Sequence, residues 1–134
     1  MRIFVSVAAA ALAACIGAAT ALAQEPTPAG LWEAEDGRTR YTVALCGDGQ
    51  QLCGYLSWIR PDSLDDSNSK YVGRAVFEEM PQAGRYRWNG DVTLEGYTVR
   101  GSVQLVASDQ LKIGACIYIF ICRSTMLTRV DEGG

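Results

Sequence analysis

Histidine is absent from the 134 residues of the chain. Its absence excludes Ser-His-Asp hydrolases, Cys-His proteases and zinc sites with imidazole ligands. Basic residues are few as well, because 12 Lys and Arg stand against 15 Asp and Glu, a net charge of −3. A nucleic-acid-binding protein needs a basic surface to neutralise phosphates, so this charge balance argues against that class. The length suits one domain, and a hydrophobic fraction of 49% is enough for a core.

Long hydrophobic runs are lacking after the first 23 residues. Residues 1–23 combine a basic start, an apolar stretch and a small-x-small end, Ala21-Leu22-Ala23. This pattern predicts a signal peptide cleaved before Gln24, and a mature protein in the periplasm or outside the cell with no membrane span. The alternative is a lipoprotein, because Leu-Ala-Ala precedes Cys15. It is less favoured, since apolar residues rather than a polar tether follow this cysteine.

Four cysteines remain after the predicted cleavage, and an even number in an exported chain predicts a disulfide framework with three possible pairings. They are Cys46, Cys53, Cys116 and Cys122. Zinc binding is disfavoured because five or six residues separate the members of each pair, whereas metal knuckles have two to four. We expect two disulfides and no metal or cofactor.

Apolar and polar residues alternate along the mature chain, which is typical of strands with one buried face. The apolar members are Tyr41, Val43, Leu45, Leu56, Trp58, Tyr86, Trp88, Val92, Leu94, Tyr97, Val99, Val103 and Leu105. No window of the mature chain has a helical period. The pattern predicts an all-β domain over residues 30–130, preceded by a flexible lead-in over residues 24–29, which contain two prolines.

Turn parity, meaning whether a turn contains an even or an odd number of residues, indicates the strand registers. A shift of one residue turns every side chain of a strand to the other face of the sheet. A turn at Asn89-Gly90 would direct Val92 outward, so we expect one strand over residues 85–94 and a turn at Glu95-Gly96. The opposed pairs are then Leu94 with Tyr97, Leu105 with Leu111, and Val103 with Ile113.

The same parity predicts local disulfides. If Val43 lies opposite Leu56 and Tyr41 opposite Trp58, Cys46 lies directly opposite Cys53 on the solvent face. In the last hairpin, the predicted opposed pairs are Ile113 with Thr125, Leu111 with Leu127, and Cys116 with Cys122. Directly opposed residues are within disulfide reach. The alternative is a long-range pairing between the two cysteine pairs.

Several motifs occur in an order that resembles the domain of unknown function 2147 family of small exported bacterial proteins. The motifs are Gly30-Leu31-Trp32, Leu52-Cys53-Gly54 with Trp58, Asp66-x-Asn68, the strand with Trp88, and Thr128-Arg129-Val130. The stretch between Asn68 and Trp88 departs from the family, the turn after the Trp88 strand is shortened to Glu95-Gly96, and Leu127 replaces an aromatic residue. The resemblance implies a lipocalin-like (calycin-type) up-and-down antiparallel barrel of about eight strands, without an established activity.

Lipocalin-like barrels carry Gly-x-Trp on the first strand and an arginine on the last, with the guanidinium over the indole. Trp32 and Arg129 stand in these places, so we expect a cation–π contact that closes one barrel end. In the alternative interpretation, Trp32 is a core residue and Arg129 a solvated strand end.

Acidic residues offer no convincing catalytic or metal site. One loop contains Asp62, Asp65, Asp66 and Asn68. A calcium loop needs oxygen ligands at alternate positions, and Lys70 stands at the third such position after Asp66 and Asn68. The loop therefore favours Asx-turn structure. Glu78 and Glu79 are adjacent on a strand and face opposite sides, so they do not share a substrate. We therefore expect a protein that is not an enzyme.

Five aromatic residues fall on the inferred inner face: Tyr41, Trp58, Tyr86, Trp88 and Tyr97. They predict a pocket for a small hydrophobic or amphipathic ligand. The alternative is a filled barrel that acts as a structural or interaction protein with an envelope protein partner. The uncharged segment 117–121 between two cysteines is expected to be a hairpin loop that meets a partner or covers a barrel end; the alternative is a continued strand.

Overall fold

A computed structural model of the chain describes residue 3, residues 25–118 and residues 120–131. Nine antiparallel strands and one short 3₁₀ helix, Ser69–Tyr71, occur in these residues. In chain order the strands are β1 (Gly30–Ala34), β2 (Thr39–Cys46), β3 (Gln51–Ile59), β4 (Ala75–Met80), β5 (Gln82–Gly84), β6 (Arg87–Leu94), β7 (Tyr97–Ala107), β8 (Gln110–Tyr118) and β9 (Ile121–Val130). The predicted signal peptide, apart from residue 3, lies outside the described residues, and so does Cys15 of the alternative lipoprotein interpretation.

The strands form one sheet in the order β4-β3-β2-β1-β9-β8-β7-β6-β5. Every neighbour is consecutive in sequence except β1 and β9, whose pairing curls the meander into a barrel. The two edges meet at Pro81, whose carbonyl accepts a hydrogen bond from the Asn89 amide of β6 at 3.1 Å. The predicted all-β barrel is confirmed as a nearly closed one. It has nine strands rather than about eight, because Pro81 separates β4 from the short β5.

The predicted registers of the C-terminal half are confirmed. The observed opposed pairs are Leu94 with Tyr97, Leu105 with Leu111, Val103 with Ile113, Ile113 with Thr125, Leu111 with Leu127, and Cys116 with Cys122. The predicted strand over residues 85–94 is too long, because β6 begins at Arg87. Tyr86 has a φ of +64° and lies in the turn between β5 and β6.

The predicted register of β2 and β3 is wrong. Tyr41 lies opposite Leu56 and Arg40 opposite Trp58, which leaves Ser57 as the extra residue of a β-bulge. The Ser57 hydroxyl donates to the Arg40 carbonyl at 3.1 Å. A bulge inserts one residue and reverses the side-chain alternation beyond it. Trp58 is therefore turned away from the core, and Ile59 is buried in its stead.

Both predicted disulfides are confirmed, Cys46–Cys53 and Cys116–Cys122. The first is diagonal rather than directly opposed, because Cys46 pairs with Gln51 and Cys53 with Ala44. Its Cα atoms are 5.9 Å apart, within the usual range for a disulfide. Cys53 is also buried, although a solvent-facing position was expected.

The segment 117–121 is mostly strand, contrary to the expected loop. β8 continues through Tyr118 and β9 starts at Ile121, and these two residues are paired. Ile119 lies outside the described residues. The other four side chains are exposed, by 63% at Ile117, 69% at Tyr118, 92% at Phe120 and 49% at Ile121.

One end of the barrel is closed by Arg129 and the stretch before β1. The Arg129 guanidinium carbon lies 4.3 Å from the centroid of the Trp32 ring, as predicted. Its nitrogens donate to the carbonyls of Thr27 (2.6 Å), Ala29 (2.7 Å) and Ser108 (2.9 Å). The Trp32 indole donates to the Pro28 carbonyl at 2.9 Å. These bonds attach residues 27–29, expected to be a flexible lead-in, to the barrel.

The core occupies the interior of the barrel next to the end closed by Arg129. Its largest fully buried side chains are Trp32, Phe77, Leu52, Met80, Leu111, Leu127, Val43, Val92 and Val103. Trp88 also packs in this cluster, and its indole donates to the Gln50 carbonyl at 2.7 Å. No helix in the described ranges is long and apolar enough to cross a membrane.

Candidate functional site

A cavity of about 590 Å³ lies at the end of the barrel opposite Arg129, which we call the open end. The β1–β2 turn, the long β3–β4 connection and the β6–β7 turn surround it. The up-and-down topology brings these connections to one end, because alternate turns of a meander lie at the same end of the sheet. The cavity is thus a cup above the packed core.

The inner wall of the cup is apolar. Leu56 and Ile59 come from β3, and Ala75 and Val76 from the start of β4. Ile59 faces the cup because the Ser57 bulge turns it inward. This wall offers a surface for the apolar part of a ligand.

The rim of the cup is polar and carries charges of both signs. Asp36, Arg38, Arg74 and Glu95 lie around it. Hydroxyl and amide groups complete the rim, from Thr39, Ser63, Asn68 and Thr93. Because both signs are present, the rim favours a polar or zwitterionic group over a purely anionic one.

Tyr41 joins the apolar wall to the polar rim. Its hydroxyl accepts a hydrogen bond from Thr39 at 3.3 Å. Burial raises the pKa of the Tyr41 phenol, the Thr39 hydrogen bond lowers it, and the nearby carboxylates of Asp36 and Glu95 raise it further, so that the net direction is upward. A neutral phenol at the cup wall can both donate and accept a hydrogen bond.

The β3–β4 connection is held by side-chain hydrogen bonds. One Asp65 carboxylate oxygen accepts from the amides of Ser67 (2.8 Å) and Asn68 (3.0 Å), and Asn68 donates to the Ser63 carbonyl at 2.8 Å. The predicted Asx-turn structure is therefore present, with Asp65 as its acceptor. A hydrogen bond from the Ser67 hydroxyl, together with these amides, lowers the pKa of Asp65.

This connection carries Tyr71 across the cup. A Cβ on Gly96, in the β6–β7 turn, would lie 3.5 Å from the Tyr71 hydroxyl, so the two segments approach each other over the opening. Arg74 is 6.0 Å from the centroid of the Tyr71 ring. Tyr71 therefore lines the cup near its opening.

Of the five predicted aromatic residues, only Tyr41 lines the cup. Trp88 lies in the core toward the closed end. Trp58 is turned outward by the bulge, and the Arg40 guanidinium carbon stacks 4.6 Å from its ring centroid. The five residues are thus not brought together as one inner face.

The other two predicted aromatic residues lie at turns. Tyr86 packs partly against the core beside the β5–β6 turn, with the Arg85 guanidinium carbon 5.1 Å from its ring centroid. Tyr97 is 76% exposed at the start of β7. Sequence reasoning also missed Tyr71 and Arg74. The signal for them was the length of the β3–β4 connection, since long ordered loops frequently cover binding sites.

The geometry defines a class of protein: a small antiparallel β-barrel, closed by an Arg–Trp pair at one end and open to a cavity at the other. Among the residues described, no group of three or more acidic or cysteine side chains is arranged to hold a metal ion. The chain belongs to the family DUF2147, described as an uncharacterized protein conserved in bacteria, whose family model matches residues 30–129. No curated protein and no solved structure matches the chain.

Proposed function

We propose that this protein binds a small amphipathic ligand in the cup at the open end of the barrel and is not an enzyme. The observation that carries the proposal is the cavity of about 590 Å³, with an apolar wall below a polar rim. Ligand pockets of proteins usually have volumes of about 300–1,000 Å³ and a few convergent polar groups. A filled barrel would offer no such space.

The arrangement of the cup supports a specific orientation of the ligand. The apolar body would pack on Leu56, Ile59 and Val76, and the polar end would meet Tyr41 and the charged rim. This replaces the five-aromatic pocket expected from the sequence, of which only Tyr41 belongs to the cup.

We also propose that the protein acts in the periplasm or outside the cell, after removal of residues 1–23. The two disulfides support this location, because such bonds persist in oxidising compartments. The intact mass of the exported protein tests the proposal: a chain starting at Gln24 without free thiols supports it, and a lipidated Cys15 contradicts it.

Binding of an environment-sensitive apolar dye tests the ligand proposal. We expect an affinity in the micromolar range, corresponding to about −8 kcal/mol. Ala75→Trp should abolish binding because the indole occupies the cup. Tyr71→Ala should weaken binding at least about tenfold, which corresponds to about 1.4 kcal/mol.

Tyr55→Ala is the matched control, since Tyr55 is 38% exposed on β3 but does not line the cup. It should leave dye affinity unchanged. If the folded wild-type protein binds no dye, or if Tyr55→Ala weakens binding as much as Tyr71→Ala, the ligand proposal fails. The barrel would then act as a structural or interaction protein.

A further inference from the structure

The β8–β9 hairpin extends beyond the rest of the barrel on the side of β1. β1 ends at Ala34, which pairs with Leu127, so residues 121–126 of β9 continue past the end of their neighbour. At about 3.3 Å per residue this extension is roughly 20 Å long. The Cys116–Cys122 disulfide joins its two strands near the tip.

The tip of this hairpin is apolar and exposed. Phe120 is the most exposed large hydrophobic residue among those described, and Ile117, Tyr118 and Ile121 surround it. Together these four side chains present on the order of 500 Å². Each partner in a stable protein complex usually buries about 800 Å², so the tip alone is small for such an interface.

The charge of the hairpin differs from that of the whole chain. Residues 110–130 contain no Asp or Glu, but they contain Lys112, Arg123 and Arg129. A groove of about 480 Å³ starts beside the Cys116–Cys122 bridge and is lined by Arg100, Lys112 and Arg123. One of these cations, Arg100, forms an ion pair with Asp91 at 3.4 Å. An acidic protein therefore carries a cationic groove next to an apolar tip.

We infer that the hairpin tip inserts into the interface of an anionic lipid bilayer, with Arg123 and Arg100 facing the headgroup phosphates. Aromatic side chains prefer the bilayer interface, and each nearby cation strengthens binding to anionic lipids about fivefold. The acidic β1–β2 turn lies at the level of Met126, where Glu35 accepts a hydrogen bond from the Met126 amide. It is thus further from the tip than the Debye length of about 10 Å. The inference does not require a ligand in the cup.

Co-sedimentation with vesicles tests this inference. The exported protein is purified, its N-terminus is verified by intact mass, and it is mixed with vesicles of phosphatidylcholine alone or of phosphatidylcholine and phosphatidylglycerol. We expect binding to the anionic vesicles and at least tenfold weaker binding to the neutral ones. A Tyr118→Ser/Phe120→Ser double variant should lose at least tenfold in binding, and Arg123→Gln about fivefold.

Two controls separate the tip from general surface effects. Val106 is 48% exposed near the β7–β8 turn at the closed end, so Val106→Ser should bind as the wild type does. Arg87→Gln removes a cation near the same end and should also have no effect. The tip side chains are exposed, so their variants should keep the wild-type melting temperature.

The inference is overturned if the wild-type protein does not bind anionic vesicles at low salt, or if Val106→Ser weakens binding as much as the tip variant. It is also overturned if the protein is a dimer that the tip variant makes monomeric while neither binds vesicles. In that case the tip contacts a second copy of the chain.

Discussion

Gly30 leaves the space that the Arg129 guanidinium occupies. A Cβ on Gly30 would lie 2.6 Å from Nη1 of Arg129, and the φ of +143° at Gly30 is one that other residues rarely adopt. The glycine, the tryptophan two positions later and the arginine on the last strand thus form one packed unit. The Gly-x-Trp spacing of Gly30 and Trp32 is therefore explained by their shared contact with Arg129.

Loss of the arginine should destabilise the barrel. We expect Arg129→Gln to lower the free energy of unfolding by about 2–4 kcal/mol, because it removes the stacking on Trp32 and charged hydrogen bonds to carbonyls. Denaturant unfolding monitored by tryptophan fluorescence measures the change. Arg100→Gln, in an exposed pair with Asp91, should change it by about 0.5 kcal/mol or less. Equal effects of the two variants would contradict a special role for Arg129.

Gly54 should tolerate no side chain. A methyl group there would overlap the ring of Phe77, which is 2% exposed and packed in the core. We expect Gly54→Ala to lower the free energy of unfolding by about 1–3 kcal/mol. Gly84→Ala is the control, since a Cβ at Gly84 meets no atom within 4 Å. A thermal melt in which both variants match the wild type would contradict the close packing of β3 on β4.

Tyr41 should ionise at a higher pH than an ordinary tyrosine. Burial raises its pKa, so the neutral phenol is favoured in the folded state. The resulting stability is fully present below the ordinary value of about 10 and is lost as the pH rises through the folded-state pKa. Tyrosinate absorbance during alkaline titration should show a late step that Tyr41→Phe removes. Tyr97→Phe, which removes an exposed tyrosine, should leave this step in place.

The two disulfides should differ in accessibility to reductants. Cys122 is exposed, whereas Cys53 is buried with a relative exposure of 6%. We expect mild reduction followed by alkylation to label Cys116 and Cys122 before Cys46 and Cys53, as peptide mapping would show. Each disulfide closes a short loop, so its removal should lower the free energy of unfolding by about 2–3 kcal/mol. Simultaneous labelling of all four cysteines would contradict the difference in burial.

The sequence was most informative where the turns are short. In β6 to β9 the connections are tight, so parity alone predicted which residues face each other, including Cys116 and Cys122. Parity failed at Ser57, because the extra residue of a bulge carries no mark in the residue pattern. That single residue moved Trp58 outward. The register toward Cys46 differs from the expected one by two residues, because the β2–β3 turn is also shorter than expected and pairs Cys46 with Gln51 instead of Cys53.

The cup was harder to predict than the barrel. Its wall depends on the β3–β4 connection, whose path is determined by hydrogen bonds from Asp65 and Asn68 rather than by any periodicity. Tyr41 was identified because it belongs to a regular strand. Tyr71 was not, since its position over the opening follows from the fold of an irregular segment.

The pairing of β1 with β9 has a consequence for how the chain folds. All other ladders join strands that are consecutive along the chain, whereas Leu31 and Val130 come from its two ends. Local hairpins form in microseconds, but joining distant segments is slowed by the entropy of closing a long loop. The closure of β1 on β9 should therefore be part of the rate-limiting step. In stopped-flow experiments Arg129→Gln should then slow refolding and change the unfolding rate less.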